Sequence, residues 1–171
     1  MLIECNAADH LYLIEDDPIR PKLFKDNSVR FEGPFRVYAE VNDETGEIAA
    51  VVCVLVCKFV PQDEYQIKLI AMGKTKQIEE KLAEREEVYG ELGTVLCPYS
   101  IWSYQKGHGR KLINNLLEAA PIMHPNIDAV ITMSPHTETA MRFHINNGAD
   151  IFATNTDCVN YEYEVSDVVL H

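Results

Sequence analysis

The chain has 171 residues, enough for one domain with a proper core and marginal for two. Hydrophobic residues make up 47% and charged residues 25%, an ordinary globular balance that excludes a disordered polymer. A net charge of −12 argues against nucleic acid or an anionic membrane as the main partner, because both need a dense cationic surface.

The chain opens on Met1-Leu2-Ile3-Glu4, with no basic segment and no signal-peptide core, which predicts a cytoplasmic protein. Leu2–Cys5 reads as a short strand. Asn6 or Asp9 caps a helix to about Glu15, and Pro18 and Pro21 interrupt it, leaving a bent stretch to about Lys25. Phe35–Val41 and Ile48–Phe59 form a hairpin around Asn42-Asp43-Glu44-Thr45-Gly46. Within it, Ile48–Cys57 is the longest apolar run, well short of the roughly 20 residues of a membrane helix. Tyr65–Ala71 alternates apolar and polar residues and reads as a further strand or an extension of the meander. Residues 72–90 form a charged helical insertion in a single domain spanning 1–171. Ile78 and Leu82 are its only aliphatic positions before Val88.

Leu92–Trp102 reads as the central strand, and the loop Tyr104-Gln105-Lys106-Gly107-His108-Gly109 leads into an amphipathic helix ended by Pro121. Ile127–Met133 is an apolar strand. Ser134-Pro135 reads as the cap and first residue of a helix to about Asn147, closed by Gly148. Short strands near Ile151–Ala153 and Val159–Val165 end the chain. This order predicts an α/β fold: a mixed sheet with helices on both faces.

Five cysteines, an odd number without a close Cys-x-x-Cys pair, read as buried thiols. Cys53 and Cys57 share one strand face but lie roughly 13 Å apart, too far to bridge. Six scattered histidines form no metal-ligand pattern, so no metal is expected.

The strongest chemical signal is strand, Gly107-x-Gly109, helix. Such a turn lets a backbone approach a ligand closely and offers helix-opening N–H groups to an anion, with Arg110 and Lys111 adding charge. A tight turn without a ligand explains the glycines equally well. A dinucleotide fingerprint fails at Leu112, and a P-loop ending at Gly73-Lys74-Thr75 fails at Lys68.

SYQKGHGRKLI resembles the pyrophosphate loop of the GNAT (Gcn5-related N-acetyltransferase) superfamily, with Tyr104 where Gln or Arg is usual. AMRFHINNGA resembles that superfamily's later helix: Ala140, Phe143 and Gly148 match, and His144 holds the tyrosine position. The resemblance implies an acyl-coenzyme A co-substrate along Ile101, Trp102, Tyr104, Gln105, Lys106 and Gly107. It extends to His108, Gly109 and Arg110, with Ser134 beside them. It also implies a proton for the departing thiolate from residue 144. YSIWSYQKG, FHINNGA, VNYEY and Ser134-Pro135 are similar to strings in the catalytic domain of malonyl-CoA decarboxylases, although Thr137-Glu138-Thr139 stands where that family has Pro-Gly-Phe. By that likeness Ser100 and His144 take the catalytic positions. Apart from any family, His144 lies one turn after Ala140 on a face directed at the sheet, and a histidine can exchange a proton at cellular pH. Three functions follow: acyl transfer from acyl-coenzyme A to an amine acceptor of unknown identity as first reading, a malonyl-CoA decarboxylase-like reaction as the alternative, and a non-enzymatic acyl-CoA binder. Oligomeric state is not legible.

Overall fold

A computed structural model describes residues 1–84 and 94–165. A seven-stranded sheet in the order β1-β2-β3-β4-β5-β7-β6 organises the chain. Its strands are β1 (Leu2–Glu4), β2 (Phe35–Val41), β3 (Ile48–Cys57), β4 (Thr94–Ser103), β5 (Ile127–Ile131), β6 (Asp150–Thr154) and β7 (Val159–Tyr163). All neighbouring pairs are antiparallel except β4–β5. The helices are α1 (Ala7–His10), α2 (Glu64–Ala71), α3 (Thr75–Glu84), α4 (His108–Met123) and α5 (Glu138–Asn146), with 3-10 turns at Leu11–Asp16 and Asn27–Phe31. This is the expected mixed sheet with helices on both faces.

Central position explains the apolar runs. Ala49–Leu55 of β3 and Val95–Ser100 of β4 are buried without interruption, as strands covered on both faces must be. One core gathers Leu13, Ile14, Ile67 and Ile70 against Val51, Cys53 and Leu55; the other packs Leu112, Ile113 and Leu116 of α4 on Val52, Val54 and Val130. Asn42 fixes the hairpin turn by accepting a hydrogen bond from the Glu44 amide at 2.9 Å. All five cysteines are free and buried.

Four local expectations are corrected. Tyr65–Ala71 is helical, not extended: Asp63 caps the segment by accepting from the Gln66 amide at 2.8 Å, and Gly73, at φ 72°, closes it. Cap chemistry at both ends outweighs an alternation that also satisfies helical spacing through Ile67 and Ile70. Pro121 does not stop α4, which runs to Met123; in a last turn it forfeits one ladder bond. The predicted N-terminal helix is four residues of α1, capped by Asn6, continued as a 3-10 turn.

Ser134-Pro135 does not open α5. Ser134 exchanges two backbone bonds with Val159, its N–H to Val159 O at 2.9 Å and its carbonyl accepting at 2.8 Å. That pairing holds residue 134 extended, and Thr137 caps α5 through the Ala140 amide. The Ile78 side chain is buried, so the amphipathic start of the charged insertion is anchored. The part of the insertion from residue 85 to 90 lies outside the described residues. Among the described residues no helix is long and apolar enough to cross a membrane.

Candidate functional site

β4 and β5 pair from Thr94↔Ile127 to Leu96↔Val130, a last backbone bond runs from the Met133 amide to the Pro98 carbonyl at 2.9 Å, and the strands then part. At the same level β4 bulges: Cys53 pairs with Ser100 and Val54 with Pro98, leaving Tyr99 as the extra residue. Directly paired residues share a sheet face, so Cys97, opposite Leu55, and Ser100, opposite Cys53, lie on one face. Uninterrupted alternation would put two residues three apart on opposite faces; the bulge brings Cys97 and Ser100 to the same one. Burial pushes the Cys97 thiol well above its ordinary range, which makes it a poor nucleophile.

Arg20 occupies the gap between the strands. Its Nε donates to the Tyr99 carbonyl at 2.8 Å, Nη2 to the Met133 carbonyl at 2.8 Å and Nη1 to Glu64 at 2.9 Å. Asp17 holds the chain entering Arg20 by accepting from the amides of Ile19 (2.7 Å) and Arg20 (3.0 Å). Its other oxygen meets the fully buried Arg30 at 2.6 Å.

The parting strands open a cleft of about 450 Å3. Pro18 and Ile19 wall one side; Tyr99–Ser103 of β4, Met133–Pro135 and the α5 residues Ala140, Phe143 and His144 form the rest. Among the described lining residues there is no carboxylate, lysine or arginine.

His144 is 3% exposed and sits in a chain of hydroxyls. Its Nε2 lies 3.0 Å from Ser134 Oγ and its Nδ1 2.7 Å from the Tyr163 hydroxyl. Ser134 Oγ is in turn 2.9 Å from Thr132 Oγ1, which accepts from the Tyr161 amide at 3.2 Å. The ring stacks on Tyr161 with centroids 4.8 Å apart. Burial among neutral groups lowers its pKa from 6.5 to about 4, so the imidazole is uncharged at neutral pH. One tautomer accepts from Ser134 while donating to Tyr163; the other accepts from Tyr163 while donating to Ser134. The arrangement can pass a proton either way.

Ser100, expected at the reacting centre with His144, is not bonded to it. It is buried in the same cleft, and its Oγ has no hydrogen-bond partner among the described residues. Ser134, expected among the cofactor contacts, is the residue that meets His144. Thr132, Tyr161, Tyr163 and Arg20 went unassigned in the sequence. The only signal was the string VNYEY, whose alternation puts both tyrosines on the face that α5 covers.

The loop at the end of β4 carries the residues that the sequence singles out for an anion. Gly107 stands at φ 83° immediately before α4, a conformation that disfavours a side chain. The first-turn amides of Gly109 and Arg110 have no carbonyl one turn earlier to bond. Lys106, Arg110 and Lys111 supply exposed positive charge around them. Gly109 is glycine for a second reason: a Cβ there would lie 3.3 Å from Phe143 Cε2, where α5 packs on α4. Tyr104 turns away, its hydroxyl donating to Asp16 at 2.7 Å and accepting from Trp102 Nε1 at 3.1 Å. Gln105 accepts from Asn42 at 2.8 Å, tying the loop to the hairpin turn. His108 is half-buried, with Nδ1 3.4 Å from the Lys106 carbonyl. Among the described residues no group of three metal-ligating side chains converges.

No protein-family model and no curated protein sequence matches this chain significantly. Solved structures do resemble it. Malonyl-CoA decarboxylase from Agrobacterium vitis aligns over 84% of this chain and 35% of its own, at TM-score 0.59 and 17% identity. The enzyme of that name from Cupriavidus metallidurans aligns over 95% and 60% respectively, at TM-score 0.59 and 15% identity. Arabidopsis thaliana NAA60, solved in complex with acetyl-CoA, aligns over 95% and 97%, at TM-score 0.57 and 13% identity. This is a GNAT-type fold. The chain spans 35% of the first decarboxylase and 60% of the second, and the likeness is to that part of each. Within the GNAT-type fold, Ser134 and His144 line the cleft between β4 and β5, and Gly109 lines it from the first turn of α4.

Proposed function

We propose that this chain is an enzyme acting on acyl-coenzyme A, and that it decarboxylates a malonyl-type thioester at Ser134 and His144. The observation carrying this reading is the hydrogen-bonded series Thr132–Ser134–His144–Tyr163 at the wall of an otherwise uncharged cleft. The Gly107 loop and the first-turn amides of α4 would hold the diphosphate, as helix N-termini do.

The reaction asks two things of the protein. The bond from the α-carbon to the carboxylate breaks, carbon dioxide leaves, and the electron pair passes into the thioester carbonyl. An apolar cleft without a cation favours that step, since it gives the departing carboxylate no ion pair to lose. The resulting enolate then takes a proton at the α-carbon. Ser134 supplies it. His144 Nε2–H replaces the serine proton as Nδ1 takes the proton of the Tyr163 hydroxyl, so that the ring stays neutral, and a proton from solvent then restores Tyr163. The unpartnered Ser100 Oγ is a further donor for the thioester oxygen. The decarboxylase-like strings of the sequence, far apart in the chain, converge on this one cleft and support the same reading.

Acyl transfer to an amine, the first reading from sequence, is the second reading here. A polar pocket of about 290 Å3 lies across Met133 from the cleft; Arg20 pairs with Glu64 at its edge, and Asp63 and Asp157 are the carboxylates left to meet a cationic acceptor.

Incubation with malonyl-CoA and no acceptor, followed by mass spectrometry, is expected to yield acetyl-CoA. No conversion refutes decarboxylation. Free thiol released from acetyl-CoA only when an amine is present would establish transfer instead. Binding without turnover of either compound would identify a non-enzymatic acyl-CoA binder. His144→Ala should lower turnover by roughly 10²–10⁴ while coenzyme A affinity stays within a fewfold.

A further inference from the structure

Acyl-coenzyme A thioesters differ chiefly in the group beyond the sulfur, and one wall of the cleft is built to meet that group. Arg20 bonds the carbonyls of Tyr99 and Met133, the residues immediately before Ser100 and Ser134. The guanidinium therefore stands level with both serines. Pro18 and Ile19 directly precede it and line the cleft at that level. Their backbone is pinned twice over: Asp17 Oδ1 accepts from the Ile19 and Arg20 amides, and Asp17 Oδ2 is locked to Arg30, itself fully buried and bonded at 2.6 Å to the Arg20 carbonyl. An apolar side chain on a segment fixed at both ends cannot retreat to admit a larger group.

We propose that Ile19 sets the size of the acyl group, holding the protein to short-chain acyl-CoA thioesters. The inference rests on the acyl-CoA reading above. A thioester presented to Ser134 and His144 directs its acyl chain at the residues level with those side chains, and Ile19 is the half-buried apolar one on the facing wall.

Trp102 is the chain's single tryptophan and lines the cleft, so its fluorescence reports occupancy. Free coenzyme A and its acetyl, butyryl and hexanoyl thioesters are titrated against the full chain, Ile19→Val and Ile19→Ala. The unaltered protein should prefer acetyl-CoA to hexanoyl-CoA. Ile19→Ala should gain about fourfold in affinity for each methylene newly accommodated, with acetyl-CoA within twofold of its starting value. Ile19→Val, one methylene smaller, should move the same way by less, and serves should the alanine variant fail to fold. Equal affinities across chain lengths in the unaltered protein, or equal shifts for all thioesters in the variants, would overturn the assignment to Ile19. Failure of free coenzyme A to perturb Trp102 in any of the proteins would instead refute the acyl-CoA reading, and this proposal with it.

Discussion

His144 ties the stability of this protein to pH in a way that can be calculated. Its pKa falls from 6.5 to about 4 on folding because burial disfavours the imidazolium, and its neighbours Ser134, Tyr161 and Tyr163 offer no compensating charge. Between those two values the unfolded chain binds a proton that the folded chain does not, so stability rises with pH across this window and is lost as pH falls from about 6.5 towards 4. Above it both states hold a neutral ring and the contribution is flat. At about 1.4 kcal/mol per pH unit the loss totals about 3 kcal/mol. For a chain of this length that amounts to roughly 6–12 °C in Tm. Burial also lowers the half-buried His124, so the measurement is a difference between proteins that share it. His144→Gln keeps a donor and an acceptor facing Ser134 and Tyr163 but cannot titrate. Urea unfolding of both proteins at pH 7.5 and 4.5 should show the unaltered chain losing more stability than the variant, by about 2–3 kcal/mol. Parallel losses would mean that His144 is accessible to protons in the folded state, and the neutral relay would fall.

The two glycines of the loop should separate experimentally. Gly107→Val should be the costlier for ligand affinity, because φ 83° strains any branched residue at the entry to α4, where the diphosphate is proposed to sit. Gly109→Ala should change stability by less than about 1 kcal/mol in thermal unfolding, because its Cβ meets the half-buried Phe143 ring at 3.3 Å while the helix gains an alanine. Equal effects of the two on coenzyme A affinity would merge the roles assigned to them here. Arg30→Met should destabilise the chain by about 3–5 kcal/mol in urea titration, because it leaves the carboxylate of Asp17 buried and unpaired. A loss below 1 kcal/mol would show that Asp17 is solvated or protonated without its partner.

The sheet was legible wherever a strand is central. The bounds of β2 coincide with the expected Phe35–Val41, and the valine-rich β3 declares burial on both faces. Legibility ended where one residue changes the outcome. The bulge at Tyr99 adds a residue to β4 and shifts everything after it by a face, which no alternation in CPYSIWS reveals. Ser134 and Thr137 are both sound helix caps, and the choice between them is made by Val159, a strand partner 25 residues away from Ser134. Once Val159 takes the backbone of residue 134, its side chain is released to His144. A cap and a relay member are alternative fates of one hydroxyl, and only long-range pairing decides between them.

The parting of β4 and β5 is what makes one site out of these pieces. Parallel strands deliver ligands to their carboxyl ends, where successive loops gather. Here the C-terminal end of β4 leads into the Gly107 loop and that of β5 into Ser134, so the loop proposed to hold a diphosphate and the hydroxyl bonded to His144 are carried by neighbouring strands. Backbone bonding ends with the Met133 amide on the Pro98 carbonyl, at 2.9 Å; were it to run on, the carbonyls of Tyr99 and Met133 would be bonded within the sheet and the cleft would close. Arg20 satisfies both carbonyls instead, at 2.8 Å each. A guanidinium is one of few groups that can do so, because its donors are spread over a rigid fork. The opening is thus stabilised by a side chain from outside the sheet, and the segment bearing that side chain also supplies the Ile19 wall. If the chain acts on acyl-CoA as proposed, cleft width and acyl selectivity are coupled: a change at Arg20 should alter the chain-length profile as well as stability, whereas a change confined to the Gly107 loop should alter affinity for all thioesters alike.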